Sequence, residues 1–108
     1  MRRRALAALA LAGVGLAALA AERATATPST AVAIDGTRYA PEVVTVKRGT
    51  RVTWKNQDPF PHTVTARGVF DSRDIAAGKS WTYTAAKAGR YDYICTLHPN
   101  MKGTLVVE

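Results

Sequence analysis

From Ala31 to Val107 the chain never sustains a helical period, and its β-branched and aromatic residues fall into short runs cut by turn residues. Ala31–Ile34 ends at Asp35-Gly36, Val43–Lys47 at Arg48-Gly49, and Arg51–Lys55 at Asn56-Gln57-Asp58-Pro59. His62–Ala66 runs into Arg67-Gly68, Gly78 precedes Ser80–Thr84, Gly89 precedes Arg90–Cys95, and Gly103 precedes Thr104–Val107. Seven strand candidates in roughly 80 residues predict an all-β sandwich or barrel. Ile75–Gly78 reads equally as a loop or a single turn. One Cys in 108 residues excludes an internal disulfide, so a fold this small draws any added stability from elsewhere.

Alternation along each run sorts the faces. Trp54 shares parity with Val52, Trp81 with Tyr83, and Tyr91 with Tyr93 and Cys95. These are core stripes, and packing explains their aromatic residues better than an electron relay does. Cys95 ends such a stripe, which predicts a sulfur sheltered by aromatics where strand meets loop.

The first 26 residues read as an address. Met1-Arg2-Arg3-Arg4 is followed by the uncharged Ala5–Ala20 and by two small-x-small patterns, Ala18-Leu19-Ala20 and Ala24-Thr25-Ala26. That order is a secretory signal peptide over 1–26, cleaved after Ala20 or Ala26. The apolar run is shorter than the roughly 20 residues a spanning helix needs, which favours cleavage over a retained anchor. The Arg run leaves a twin-arginine route open beside the general one. Residues 27–108 are then one domain in the periplasm or another exported compartment.

Those 82 residues carry 11 Lys or Arg against seven Asp or Glu, a net charge of +4 rather than the +7 of the whole chain. The positives are scattered singly, without the clustered stripe and interleaved aromatics of a nucleic-acid surface. A solvated basic surface that steers acidic partners is the expectation.

The chemistry lies in four side chains. Beyond Met1 the chain holds one Cys, two His and one Met. Three of these fall in Cys95-Thr96-Leu97-His98-Pro99-Asn100-Met101, a C-x2-H-x2-M segment, and the fourth, His62, follows Pro59-Phe60-Pro61. Each alone has an ordinary structural explanation; together they form one metal-compatible set. A thiolate, two imidazoles and a weak thioether are the donors of a blue-copper electron-transfer site. Zinc fits less well, because a structural zinc site takes four Cys or His ligands and a thioether is a poor substitute. A catalytic zinc needs a nearby acid or base, yet Asp92 has the opposite parity to Cys95 and no other carboxylate is expected near the loop. A Cys/His nucleophile would lack a third, orienting residue.

Three segments now carry a resemblance: Tyr39-Ala40-Pro41-Glu42-Val43-Val44-Thr45-Val46 with Gly49, then Val52-Thr53-Trp54 with Pro61-His62, then Gly89 to Gly103. From about Thr30 to Glu108 the chain resembles the cupredoxins, most closely their amicyanin and plastocyanin branch. The resemblance implies a Greek-key β-sandwich of about seven to eight strands. It implies one copper ion held by His62, Cys95 and His98 equatorially and by Met101 axially. It also implies no enzymatic activity but one-electron transfer by Cu(II)/Cu(I) cycling, in a monomer that exchanges electrons with a c-type cytochrome or a periplasmic dehydrogenase. A periplasmic copper-delivery protein is the alternative. The family commonly places Asn after its first ligand His; here Thr63 stands there, so a brace to the Cys loop is either a hydroxyl or lost. Asn100 replaces a bulky apolar residue and makes the surface beside His98 more polar. Phe60, Pro61, Leu97 and Pro99 are the expected apolar docking patch, with electrons passing through the exposed edge of His98.

Overall fold

The computed structural model describes residues 26–108, and the signal-peptide expectation for 1–26 lies outside them except at Ala26. Nine strands follow in order: β1 (Ser29–Ile34), β2 (Tyr39–Ala40), β3 (Val43–Val46), β4 (Thr50–Asn56), β5 (Thr65–Ala66), β6 (Phe70–Asp71), β7 (Ser80–Ala85), β8 (Gly89–Cys95) and β9 (His98–Val107). One sheet runs β2-β1-β4-β7 and the other β3-β9-β8-β5-β6. β1 lies parallel to β4 and β3 parallel to β9, while the remaining neighbours are antiparallel.

The expected all-β sandwich is present, and alternation builds it. In β4, Thr50, Val52, Trp54 and Asn56 point inward, and the register sets Val32 of β1 and Trp81 of β7 on either side of Trp54. On the facing sheet Tyr93 and Cys95 are fully buried and Tyr91 packs at the core's edge. Trp54 links the two sheets: its indole N–H donates to the Tyr93 hydroxyl at 3.2 Å, and the two rings meet edge to face. Trp81 and Tyr83 stack beside Phe70 at the partly open rim. Packing thus accounts for the aromatic stripes.

Beyond strand ends shifted by one or two residues, the structure departs from the sequence reading in several places. β2 and β6 are two-residue strands, too short to carry an alternating signal. The run His62–Ala66 is strand only at Thr65–Ala66; His62 instead makes an isolated bridge with Ile75, in which each amide bonds the other's carbonyl. That bridge also resolves Ile75–Gly78, which begins as a bridge and ends in a turn closed by Lys79 N–H on Ala76 O. The last run does not begin at Thr104 but reaches back to His98, so four of the predicted loop residues, His98 to Met101, belong to β9.

Candidate metal centre

The Cys95 segment is a hairpin end with a wide bulge. Cys95 pairs with His98 across the turn Thr96-Leu97, but the next pair is Ile94 with Lys102. Pro99, Asn100 and Met101 are therefore extra residues on β9, and Pro99 has no N–H to give the ladder. The bulge lets one short segment aim His98 at the Cys95 sulfur and still bury Met101 in the core cluster.

His62 is delivered by a separate, heavily tied loop. The buried Asn56 side chain donates to the carbonyls of Phe60 and Ile75 and accepts from the Asp58 amide, so both ends of the loop hang on one residue. Asp58 then receives Nε2–H of His62 at 2.8 Å. The Asp58 carboxylate is itself fixed by the β1–β2 turn, where the Gly36 and Thr37 amides donate to its two oxygens at 2.7 and 2.9 Å. Both turn residues adopt positive φ, 63° and 60°, an uncommon conformation for a β-branched Thr. Thr37 tolerates it because its amide gains a charge-assisted bond. Burial pushes the Asp58 carboxyl up, but the Thr37 and Gly36 amides and His62 outweigh it and hold the group below the usual carboxylate range. An anionic Asp58 keeps the proton on Nε2 and leaves the Nδ1 lone pair free to face the sulfur. The sequence reading expected no carboxylate beside the site, and Asp58 corrects it. Its position four residues before His62 was the available signal.

Thr63 answers the question of the brace. Its hydroxyl accepts the Thr96 amide at 2.9 Å, and its own amide donates to Cys95 Sγ at 3.3 Å. The hydroxyl replaces the expected amide side chain, and the two loops remain joined.

His62, Cys95 and His98 place one donor atom each within 4.8 Å of one another. Cys95 Sγ lies 3.6 Å from His62 Nδ1 and 3.7 Å from His98 Nδ1. Bonds of about 2.0 Å to nitrogen and 2.3 Å to sulfur, opened to about 110–120°, put those atoms roughly 3.5–3.7 Å apart, so both pairs fit a single shared first-row ion. His62 and Cys95 are completely buried, Met101 is nearly so, and His98 is partly exposed. Met101 and His98 line one surface hollow with Leu97, Pro99 and Asn100. Phe60 lies against both imidazoles, 5.2 Å from His62 and 5.8 Å from His98 between ring centres. With Leu97 it is one of the few large apolar side chains exposed among the described residues.

Residues 6–107 match the model of the cupredoxin-like domain family. The chain is 36% identical to amicyanin-alpha of Methylorubrum extorquens over 105 residues, covering 92% of this chain and 88% of that one. It is also 36% identical to amicyanin of Paracoccus versutus over 83 residues, 71% of this chain and 63% of the relative's length. Among solved structures, the Cu(I) form of an amicyanin variant superposes with a TM-score of 0.71 at 34% identity, over 78% of this chain and 86% of that one.

Proposed function

The chain belongs to the cupredoxin-like family, and from that premise we propose that His62, Cys95, His98 and Met101 are the four ligands of its copper ion. The cofactor is copper and the protein is of the blue copper, electron-transfer kind. The observation that carries the ligand assignment is the convergence of His62, Cys95 and His98 from two separately braced stretches of chain. Copper supplies a one-electron couple at a thiolate. The protein's share is to hold the donors still: Asp58 orients His62, Thr63 ties Cys95 to the neighbouring loop, and the bulge fixes His98 beside Met101. A frame that moves little between oxidation states lowers the reorganisation each electron transfer requires.

The partly exposed His98 ring, ringed by Phe60, Leu97 and Pro99, is the proposed exit for the electron. The apolar skirt suits brief docking with a c-type cytochrome or a periplasmic dehydrogenase, and the scattered positive charge steers an acidic partner towards it. Burial of three of the four ligands supports a shuttle over a delivery protein, because release would require the core to open. We further propose a monomer that works in the periplasm after removal of residues 1–26. Addition of an equimolar amount of Cu(II) is expected to give an intense blue thiolate-to-copper band that is absent in Cys95→Ser. A colourless product would overturn the ligand assignment.

A further inference from the structure

A run of hydroxyls leads away from the Cys95 loop. Thr96 Oγ1 lies 3.2 Å from Thr63 Oγ1, which lies 3.0 Å from Thr65 Oγ1, which bonds Asp71 Oδ1 at 3.1 Å. We propose that Asp71 is a positioning residue for the thiolate loop, acting through this chain of threonine hydroxyls. The inference rests on the copper reading above and concerns residues that touch no ligand donor atom except through Thr63.

Proton counting sets the direction. Each hydroxyl has one proton to give and two lone pairs to receive, and an ionised carboxylate only receives. Arg73 N–H also donates to the same Asp71 oxygen, at 2.8 Å, and that amide, ahead of an opposing effect of burial, holds the carboxyl below its ordinary range. Thr65 must therefore spend its proton on Asp71, which makes it an acceptor towards Thr63. Thr63 must spend its proton on Thr65, which leaves both its lone pairs facing Thr96. They take the Thr96 amide at 2.9 Å and the Thr96 hydroxyl. All three hydroxyls point the same way, and the carboxylate at the far end is what makes them do so.

The consequence reaches the sulfur. The hydroxyl tied to Thr65 and Thr96 holds Thr63 against the Cys95 loop, where its backbone amide meets Cys95 Sγ at 3.3 Å. Thr63 and Thr65 are buried, so the middle of the chain is shielded from water, whereas its two ends, Thr96 and Asp71, are exposed and Asp71 tolerates replacement. Hydrogen bonds to a copper thiolate tune the ion's potential and spectrum. Asp71 thus controls a thiolate bond from the opposite side of the β5–β6 hairpin.

The test compares D71A, D71N and T65V in the full chain. Amide exchange reads the brace in the copper-free chain, while the thiolate-to-copper band and reduction potential read the loaded one. D71A and T65V are expected to speed exchange of the Thr96 amide about tenfold, the loss of roughly one hydrogen bond. Both should shift band and potential in the same direction, and the D71A/T65V double variant should go no further than T65V. D71N removes the charge but keeps an acceptor oxygen, so it should return parental values. Parental values in D71A, additive effects in the double variant, or D71N behaving as D71A would each overturn the proposal. T65V is nearly isosteric and leaves net charge untouched, and unchanged protection of the Leu105 amide reports an intact core. A parent that takes no blue colour would sink the copper reading, while amide exchange would still decide the role of Asp71.

Discussion

Replacing Gly103 with Ala tests the packing beneath the metal site. Gly103 sits opposite Tyr93 in the β8–β9 register, and a Cβ there would lie 2.5 Å from Tyr93 Cζ, 2.6 Å from its hydroxyl oxygen and 2.7 Å from Cε1. None of those contacts is tolerable, so the ring must move. It has little room: Tyr93 is 1% exposed, stands edge to face with Tyr39 at 4.7 Å, and accepts the Trp54 indole N–H. Overpacking of this kind costs about 1–3 kcal/mol, and losing the indole bond adds about 1. Alanine's lower unfolded-state entropy offsets about 0.5–1 kcal/mol. The net loss is then about 1–3.5 kcal/mol, or a fall in Tm of roughly 4–28 °C for a domain of this size. Thermal unfolding of the copper-free chain, followed by circular dichroism, measures it. A double-mutant cycle sharpens the test: in a Tyr93→Leu background the added methyl should cost under about 1 kcal/mol, because the ring it strikes is gone. A G103A protein that melts within about 2 °C of the parent would refute the reasoning.

Other outcomes follow from the same contacts. Leu97→Glu places a charge in the apolar skirt beside His98 and should slow electron exchange with a redox partner at unchanged visible spectrum; equal rates would remove Leu97 from the docking surface. Asp58→Ala frees the Nε2 proton of His62 and orphans two turn amides, and copper affinity should fall about 10–100-fold in a competition titration. Undiminished affinity would show that the bridge to Ile75 alone orients the ring. Burial raises the phenol pKa values of Tyr39, where Cys95 and Tyr93 add to the rise, and of Tyr93, where the Trp54 bond opposes it and Glu42 adds. Both phenols stay neutral in the fold while the unfolded chain ionises near pH 10. Stability is therefore full below about pH 10 and falls above it, by at most about 1.4 kcal/mol per pH unit per group. Tyr39→Phe should lessen that slope in alkaline denaturation, and an identical slope would exclude Tyr39 as a source.

What could be read from the chain depended on whether neighbours in sequence carry the information. Val52 with Trp54, and Tyr93 with Cys95, declare their faces by parity, and the burial follows. The four proposed ligands stand out because each belongs to a scarce residue type in residues 27–108. Asp58 did not stand out, since its role depends on amides at Gly36 and Thr37, more than twenty positions earlier and across a turn. The strands β2 and β6 are defined by their partners rather than by their own two residues. The start of β9 lies before Thr104 for a related reason: Gly103 reads as a turn residue, yet it pairs with Tyr93 inside the strand, and a bulge accommodates Pro99 further back.

The same strand that carries His98 and Met101 at one end closes the second sheet at the other, where Val107 pairs with Val46 and the Glu108 amide bonds the Val46 carbonyl. Parallel pairing of β3 with β9 joins segments far apart in the chain, and contacts of that kind form slowly and late. His98 and Met101 open this last strand, so they join Cys95 through the pairing of β9 with β8, and the far half of β9 anchors that strand to β3. Shortening the far end of β9 should therefore loosen the strand that carries His98 and Met101 and weaken copper binding without touching a single proposed ligand.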